Sequence, residues 1–200
     1  MDSQIEAHPF EPFLPDNARL LMLGTFPPAA HRWCMRFYYP NFTNDMWRIF
    51  GVCFYGDKMH FVRQEEKTYD LDAIKPFLVG KGIAMYDTAA KVIRTRNTAS
   101  DKDLRIVEPA DLDAMLCRLR HCVAVITAGQ LATEVFCRMF GISVPKVGEY
   151  SEFEFVPSSD TGLRRIIRLY RMPSSSRAYP MKVENKAAYY NKVFAWLRML

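Results

Sequence analysis

The chain has 200 residues, of which 50% are hydrophobic, 14% aromatic and 24% charged. A chain of this length buries roughly 70% of the surface it exposes unfolded, so its core needs no staple, and the composition excludes a disordered, collagen-like or disulfide-built chain. Its net charge of +5 lies wholly in residues 151–200, which carry 9 basic and 4 acidic side chains, Arg164, Arg165, Arg168, Arg171 and Arg177 among them.

Residues 19–24 (RLLMLG) are an apolar run closing on Gly-Thr-Phe-Pro-Pro, the pattern of a buried strand. Thr43 or Asn44 is placed to cap a short helix that carries Met46, Trp47, Ile49 and Phe50 and stops at Gly51. Residues 71–78 read as a helix in which Pro76 imposes a late start or a kink, and 83–87 (IAMYD) as a second strand. Asp111 caps a helix with Leu112, Met115, Leu116 and Leu119 inside it. Residues 123–127 (VAVIT) form a third strand, then Gly129 opens a helix that ends at Gly141. Residues 153–156 and 164–171 are two further strands joined by a turn at 157–162. Residues 184–200 form a closing helix with Tyr190, Val193, Phe194 and Leu197 on one face. Apolar strands alternating with helices predict an α/β fold with a mostly parallel sheet covered on both faces.

Ligands of such folds bind beyond the carboxyl ends of the strands, so the segments 24–28, 87–88, 127–130 and 172–177 carry the functional expectation. Gly24-Thr25-Phe26-Pro27-Pro28 joins a glycine that permits close backbone approach to two prolines that fix the turn. It lacks the GxxxxGK[ST] pattern of a phosphate cradle, and a simple strand-to-loop turn also fits it. In the segment 37–47, Phe37, Tyr38 and Tyr39 offer faces on which a base can stack. Asn44 there offers two donors and an acceptor for a base edge or a water, or else simply caps the helix. Met172-Pro173-Ser174-Ser175-Ser176-Arg177 follows the arginine-rich strand, either as a phosphate-gripping loop or as an ordinary polar one. The basic excess reads as a phosphate-attracting patch or as a solvated strand, and Lys91, Arg94 and Arg96 as an extension of that groove or a solvated loop.

These segments, in this order, resemble the uracil-DNA glycosylase superfamily, and most of all its hypoxanthine/uracil-DNA glycosylase-like branch. Gly24-Thr25-Phe26-Pro27-Pro28 is similar to the branch's G-S-M-P-G motif. Tyr38-Tyr39 with Asn44 and Trp47 keep the spacing of its Y-Y-x-x-P-R-N-x-F-W segment. Residues 82–87 (GIAMYD) resemble G-I-A-L-W-D, Thr127-Ala128-Gly129-Gln130 sits where the family has an N-G-x turn, and Met172-Pro173-Ser174-Ser175-Ser176 resembles L-P-S-T-S. The resemblance spans about residues 18–197. It departs at Thr25 and Phe26, where well-studied members carry an Asp or Asn, and at Met172, where several carry a His. Phe42-Thr43 stand where the branch has Pro-Arg, and Arg177 where it has Pro.

The resemblance implies a three-layer α/β/α sandwich around a central, mostly parallel four-stranded sheet, formed as one domain over residues 1–200. It implies a cytoplasmic, monomeric DNA glycosylase that removes uracil or hypoxanthine in base excision repair, with DNA as partner and no membrane. Gly24, Thr25, Phe26 and Pro27 would floor the base pocket, with Phe26, Phe37 or Tyr39 stacking on the flipped base. Ser174, Ser175 and Ser176 would hold the flanking phosphates, and Arg177 would enter the vacated stack or clamp the backbone. Asn44 is the expected polar catalytic group, orienting water or bonding the base edge. A general base must be a carboxylate, for which Asp87 and Asp45 are the candidates; Asp87 also reads as a loop-pinning group. The alternatives are a catalytically weakened nucleic-acid binder and a small-molecule hydrolase using Ser174 or Ser175, although no G-x-S-x-G elbow is present. No apolar run approaches the roughly 20 residues of a membrane span, and the N-terminal residues do not read as a signal peptide. The five cysteines include no CxxC pair, so they read as buried thiols in a reducing compartment, and no metal, cluster or other cofactor is expected.

Overall fold

The computed structural model describes residues 4–96, 98, 100–158 and 164–200. In chain order its elements are β1 (Ile5–Ala7), β2 (Leu20–Gly24), α1 (Met46–Tyr55), β3 (Val62–Arg63), β4 (Thr68–Tyr69), α2 (Leu71–Lys81), β5 (Ile83–Asp87) and β6 (Ala89–Arg94). They continue with β7 (Leu104–Pro109), α3 (Leu112–Arg118), β8 (Ala124–Ala128), α4 (Gln130–Phe140), β9 (Tyr150–Phe155), β10 (Arg165–Met172) and α5 (Val183–Trp196).

The central sheet has the order β5-β2-β8-β10-β9. β5, β2, β8 and β10 are mutually parallel, and β9 adds an antiparallel fifth strand at the edge. Every residue of β2 and β5 is buried, as expected of parallel strands covered on both faces. One face carries α4, whose Phe136 and Phe140 pack on Phe153 of β9, together with α3, whose Leu116 carbonyl and the Leu119 carbonyl just beyond it accept from Arg165. The other carries α1, α2 and α5, joined through Phe50, Phe54, Phe77 and Phe194. The three-layer sandwich with a mostly parallel sheet is therefore observed, with five strands rather than the four the resemblance implied, because β9 pairs onto the free edge of β10. Its chain leaves β2 for β5 on one side and returns to β8 on the other, so the β2–β8 crevice is the point where strand order reverses, the favoured ligand position of open α/β sheets.

A second, antiparallel sheet, β1-β6-β7, was not expected from the sequence. Only Thr88 separates β5 from β6, and the chain passes directly from one sheet into the other. β7 shows alternating burial only at Leu104 and Ile106, and β1 has three residues, so neither carries a long apolar run. Two helices also run further than their sequences suggest. Gly51 does not end α1: its missing side chain admits the Asp57 carbonyl, 2.3 Å from where a Cβ would stand, and Gly56, in the left-handed region at φ 67°, caps the helix instead. α2 runs through Pro76, whose absent N–H leaves only the carbonyl of exposed Asp72 to be solvated. The turn expected at 157–162 lies, beyond residue 158, outside the described residues. No disulfide joins the five cysteines, of which Cys122 and Cys137 are buried and the others half-buried. No helix among the described residues is long and apolar enough to cross a membrane.

Candidate active site

Gly24 and Asp87 end β2 and β5 side by side in register. A Cβ on Gly24 would stand 2.5 Å from Asp87 Oδ1, so glycine is what admits the carboxylate at the mouth of the sheet. The loop that follows is held from several sides. The Thr88 and Ala89 amides donate to the Gly24 and Thr25 carbonyls at 2.9 and 3.1 Å. Arg94 bonds Glu6 through two nitrogens and donates to the Pro27 carbonyl at 3.1 Å, while Trp33 Nε1 donates to Pro28 at 2.6 Å. Arg94 is thus a buttress of this loop, while Lys91 pairs with Glu108 across the second sheet and Arg96, just past β6, with Asp103 before β7.

Asp87 has a partner that sequence reading missed. His8 Nε2 lies 2.9 Å from Asp87 Oδ2, with the His8 side chain 3% exposed. A carboxylate only accepts, so Nε2 carries the proton. The imidazole is packed between the rings of Tyr86 at 4.6 Å and Phe26 at 5.3 Å. Asp87 therefore is pinned, as its alternative reading held, yet it still lines the cleft. Exchanging His8 for Phe keeps the ring packing and removes the donor. It is expected to cost about 1–3 kcal/mol, the penalty of a buried acceptor left unmade, read as a fall in thermal unfolding midpoint; an unchanged midpoint would mean that the His8 bond contributes nothing.

Asn44 is positioned by the start of α1. Its Oδ1 accepts from the Met46 amide at 2.9 Å, which fixes the amide's orientation and leaves its –NH₂ as the group it can offer a ligand. Buried Arg48 donates to the carbonyls of Phe42 and Asn44 at 2.8 and 3.2 Å, and Tyr69 donates to the Asn44 carbonyl at 2.7 Å, so two side chains hold the backbone of this segment. Asp45 is engaged in a buried ion pair instead: its Oδ2 is 2.9 Å from Lys186 Nζ, and Lys186 also donates to the Ser176 carbonyl at 2.7 Å. The Asp45 amide donates to the Ser175 carbonyl at 2.8 Å, so the start of α1 holds the serine loop directly. Ser175 is itself 4% exposed; Ser176 and Arg177 are the exposed members.

These segments line one cleft of about 1080 Å³ at the carboxyl ends of the parallel strands. It gathers Gly24, Thr25, Phe26, Pro27, Tyr39, Asn44, Asp87, Ser174, Ser175, Ser176 and Arg177, all expected from the sequence. Phe37 is not among them. It is 6% exposed and packs in the core against Phe13 and Trp47. Of the C-terminal arginines, Arg171 and Arg177 line the cleft, whereas Arg165 caps α3 carbonyls and Arg168 stacks on Tyr150 and Trp196.

No protein-family model and no curated protein matches the chain. Among solved structures it matches the solution NMR structure of the "putative Uracil DNA glycosylase" of Methanosarcina acetivorans, with a TM-score of 0.63, 20% identity, and coverage of 98% of this chain and 99% of that one. The fold is uracil-DNA glycosylase-like.

On this fold, a further group in the cleft, Asp101, carries no signal in the local sequence. Asp101, on a short 3-10 turn between β6 and β7, accepts from Thr25 Oγ1 at 2.7 Å. Burial raises its carboxyl above the ordinary value; the Thr25 bond opposes this, the Asp87 charge adds to it and Arg94 opposes it. Tyr39 adopts φ 52°, an uncommon conformation for an aromatic residue. Its hydroxyl is buried beneath the cleft with no hydrogen-bond partner among the described residues, and burial holds its phenol well above the ordinary value, so it stays neutral.

Proposed function

We propose that the protein is a DNA glycosylase, one domain acting as a monomer, that excises uracil or hypoxanthine by hydrolysis of the N-glycosidic bond in base excision repair. The observation that carries the reading is the convergence of the 24–27 loop, Asn44, Asp87 and the serine loop on one cleft at the strand-order switch of a uracil-DNA glycosylase-like fold. The cleft has room for one base, and Arg177 at its rim suits a phosphate backbone. Cleavage builds positive charge on the sugar and negative charge on the departing base, and unstacking the base first costs a few kcal/mol. Fixed donors lower the barrier when they meet charge that develops in the transition state. The Asn44 amide group is such a donor for the base edge. Asp87, held by His8, sets a carboxylate near the developing sugar cation, and Phe26 and Tyr39 flank the base. Ser174, Ser176 and Arg177 hold the phosphates beside it, with Ser175 anchoring their loop.

Strand cleavage after alkali, on oligonucleotides carrying one uracil, hypoxanthine, xanthine or mismatched thymine in single and double strands, tests the reading. Cleavage at one modified base that is lost in Asn44→Ala is expected. Salt-sensitive binding without cleavage would replace the enzyme by a non-cutting nucleic-acid binder. No binding would overturn both. Arg177→Ala is expected to weaken duplex binding about evenly across sequences and to lower the salt dependence by about one counterion, measured by titration at several salt concentrations.

A further inference from the structure

Hydrolysis needs a group that takes a proton from the attacking water, and an amide cannot do so at neutral pH. Among the described residues, the carboxylates that line the cleft are Asp87, Asp101 and Glu134. Asp87 is 7% exposed, gives one oxygen to His8 and packs the other against Gly24. Glu134 lies a turn up α4 and accepts from Gln130 Nε2 at 2.7 Å. Asp101 is placed differently. Its Oδ2 is 2.7 Å from Thr25 Oγ1 at the end of β2 and 3.6 Å from where a Cβ on Gly129 would stand at the end of β8. It therefore bridges the crevice where the strand order reverses, on the opposite side of the 24–25 backbone from β5 and Asp87. It is only half-buried, and a carboxylate holding one hydrogen bond keeps acceptor sites for a water.

We propose that Asp101, oriented by Thr25, is the proton-accepting catalytic carboxylate of this site. The proposal rests on the glycosylase reading. A water loses a proton to the Asp101 carboxylate as its oxygen bonds to the anomeric carbon. The N-glycosidic bond breaks and its electron pair leaves with the base, which is then protonated from Asp101, restoring the carboxylate. Thr25 acts as a positioning residue through its hydrogen bond, and Asp87 stays as fixed charge. The raised carboxyl suits the role, because a base works best with a proton affinity near the operating pH.

The test is single-turnover cleavage across pH for the intact protein, Asp101→Asn and Thr25→Val, alongside duplex binding. Asp101→Asn keeps an acceptor for Thr25 and the side-chain volume. It is expected to cut about 10²–10⁴-fold more slowly with unchanged DNA binding. The unmodified protein should lose rate as pH falls through the Asp101 titration, and this acidic limb should vanish in Asp101→Asn. Because the Thr25 bond lowers the Asp101 pKa, Thr25→Val should move the limb to higher pH; a purely structural role would not. The raised carboxyl also has a stability consequence. A group whose folded pKa lies above its unfolded one loses stabilisation as pH rises through the folded value. Asp101→Asn should therefore unfold no earlier than the unmodified protein at neutral pH. Cleavage by Asp101→Asn at the unmodified rate and with the same pH profile would sink this proposal and leave the glycosylase reading intact. A chain that cuts none of the modified bases would sink both.

Discussion

Replacing Lys186 by methionine is expected to cost about 3–5 kcal/mol of folding stability, the range for breaking one partner out of a buried ion pair. The Lys186 side chain is 0% exposed and that of Asp45 is 5%. The ammonium bonds Asp45 Oδ2 and the Ser176 carbonyl, and lies 5.8 Å from the centre of the Tyr179 ring. Asp45 Oδ1 has no hydrogen-bond partner among the described residues, and Arg177 Nε stands 4.0 Å away, so little remains to compensate the carboxylate once the lysine is gone. The strain falls on the site, because the same lysine ties α5 to the serine loop and the same aspartate ties α1 to it. Urea unfolding should show the loss, and DNA affinity should drop with it. The pair Asp45→Asn with Lys186→Met removes the stranded charge and should regain most of the stability. A double variant no more stable than Lys186→Met alone would show that the cost lies in packing around the methionine and not in the unpaired aspartate.

The same pair shows where sequence reading stops. A lysine among polar residues on an amphipathic helix is ordinarily solvated, and nothing between positions 45 and 186, 141 residues apart, marks their contact. His8 and Asp87 are 79 apart, and Thr25 and Asp101 are 76 apart. Each pair is made by the second sheet or by the closing helix folding back onto the cleft. The elements that were legible are those whose signal is local. β2, β5 and β8 are continuous apolar runs, Asp111 caps α3 by accepting from Ala114, and Gly141 ends α4 in the left-handed region. The strand-end rule then located the cleft without any tertiary information, since parallel strands place their carboxyl ends together. Phe37 failed by the same logic that placed Tyr39. Aromatic composition marks a segment but not which of its rings turns inward, and here Phe37 enters the core while Tyr39, in a left-handed conformation, turns to the cleft.

Exchanging Asn44 for Asp is expected to reduce cleavage about 10²–10³-fold, the usual loss on removing one preorganised donor, while leaving stability within about 0.5 kcal/mol. The structure separates two roles that one side chain combines. Asn44 Oδ1 accepts from the Met46 amide and closes the turn into α1, and an aspartate oxygen serves that bond equally well. The –NH₂ is lost, and negative charge appears where a departing base would gather its own. Asn44→Ala removes both roles. It should add about 1 kcal/mol of destabilisation, as for loss of a cap, to a similar loss of cleavage. Thermal unfolding and single-turnover cleavage on the two variants therefore decide between the readings of this residue. If Asn44→Asp cuts as fast as the unmodified protein and only Asn44→Ala is impaired, Asn44 is a helix-capping residue and the polar contact to the base must come from elsewhere in the cleft. If both fail to cut while only Asn44→Ala loses stability, the turn is the scaffold and the amide hydrogens are the chemistry.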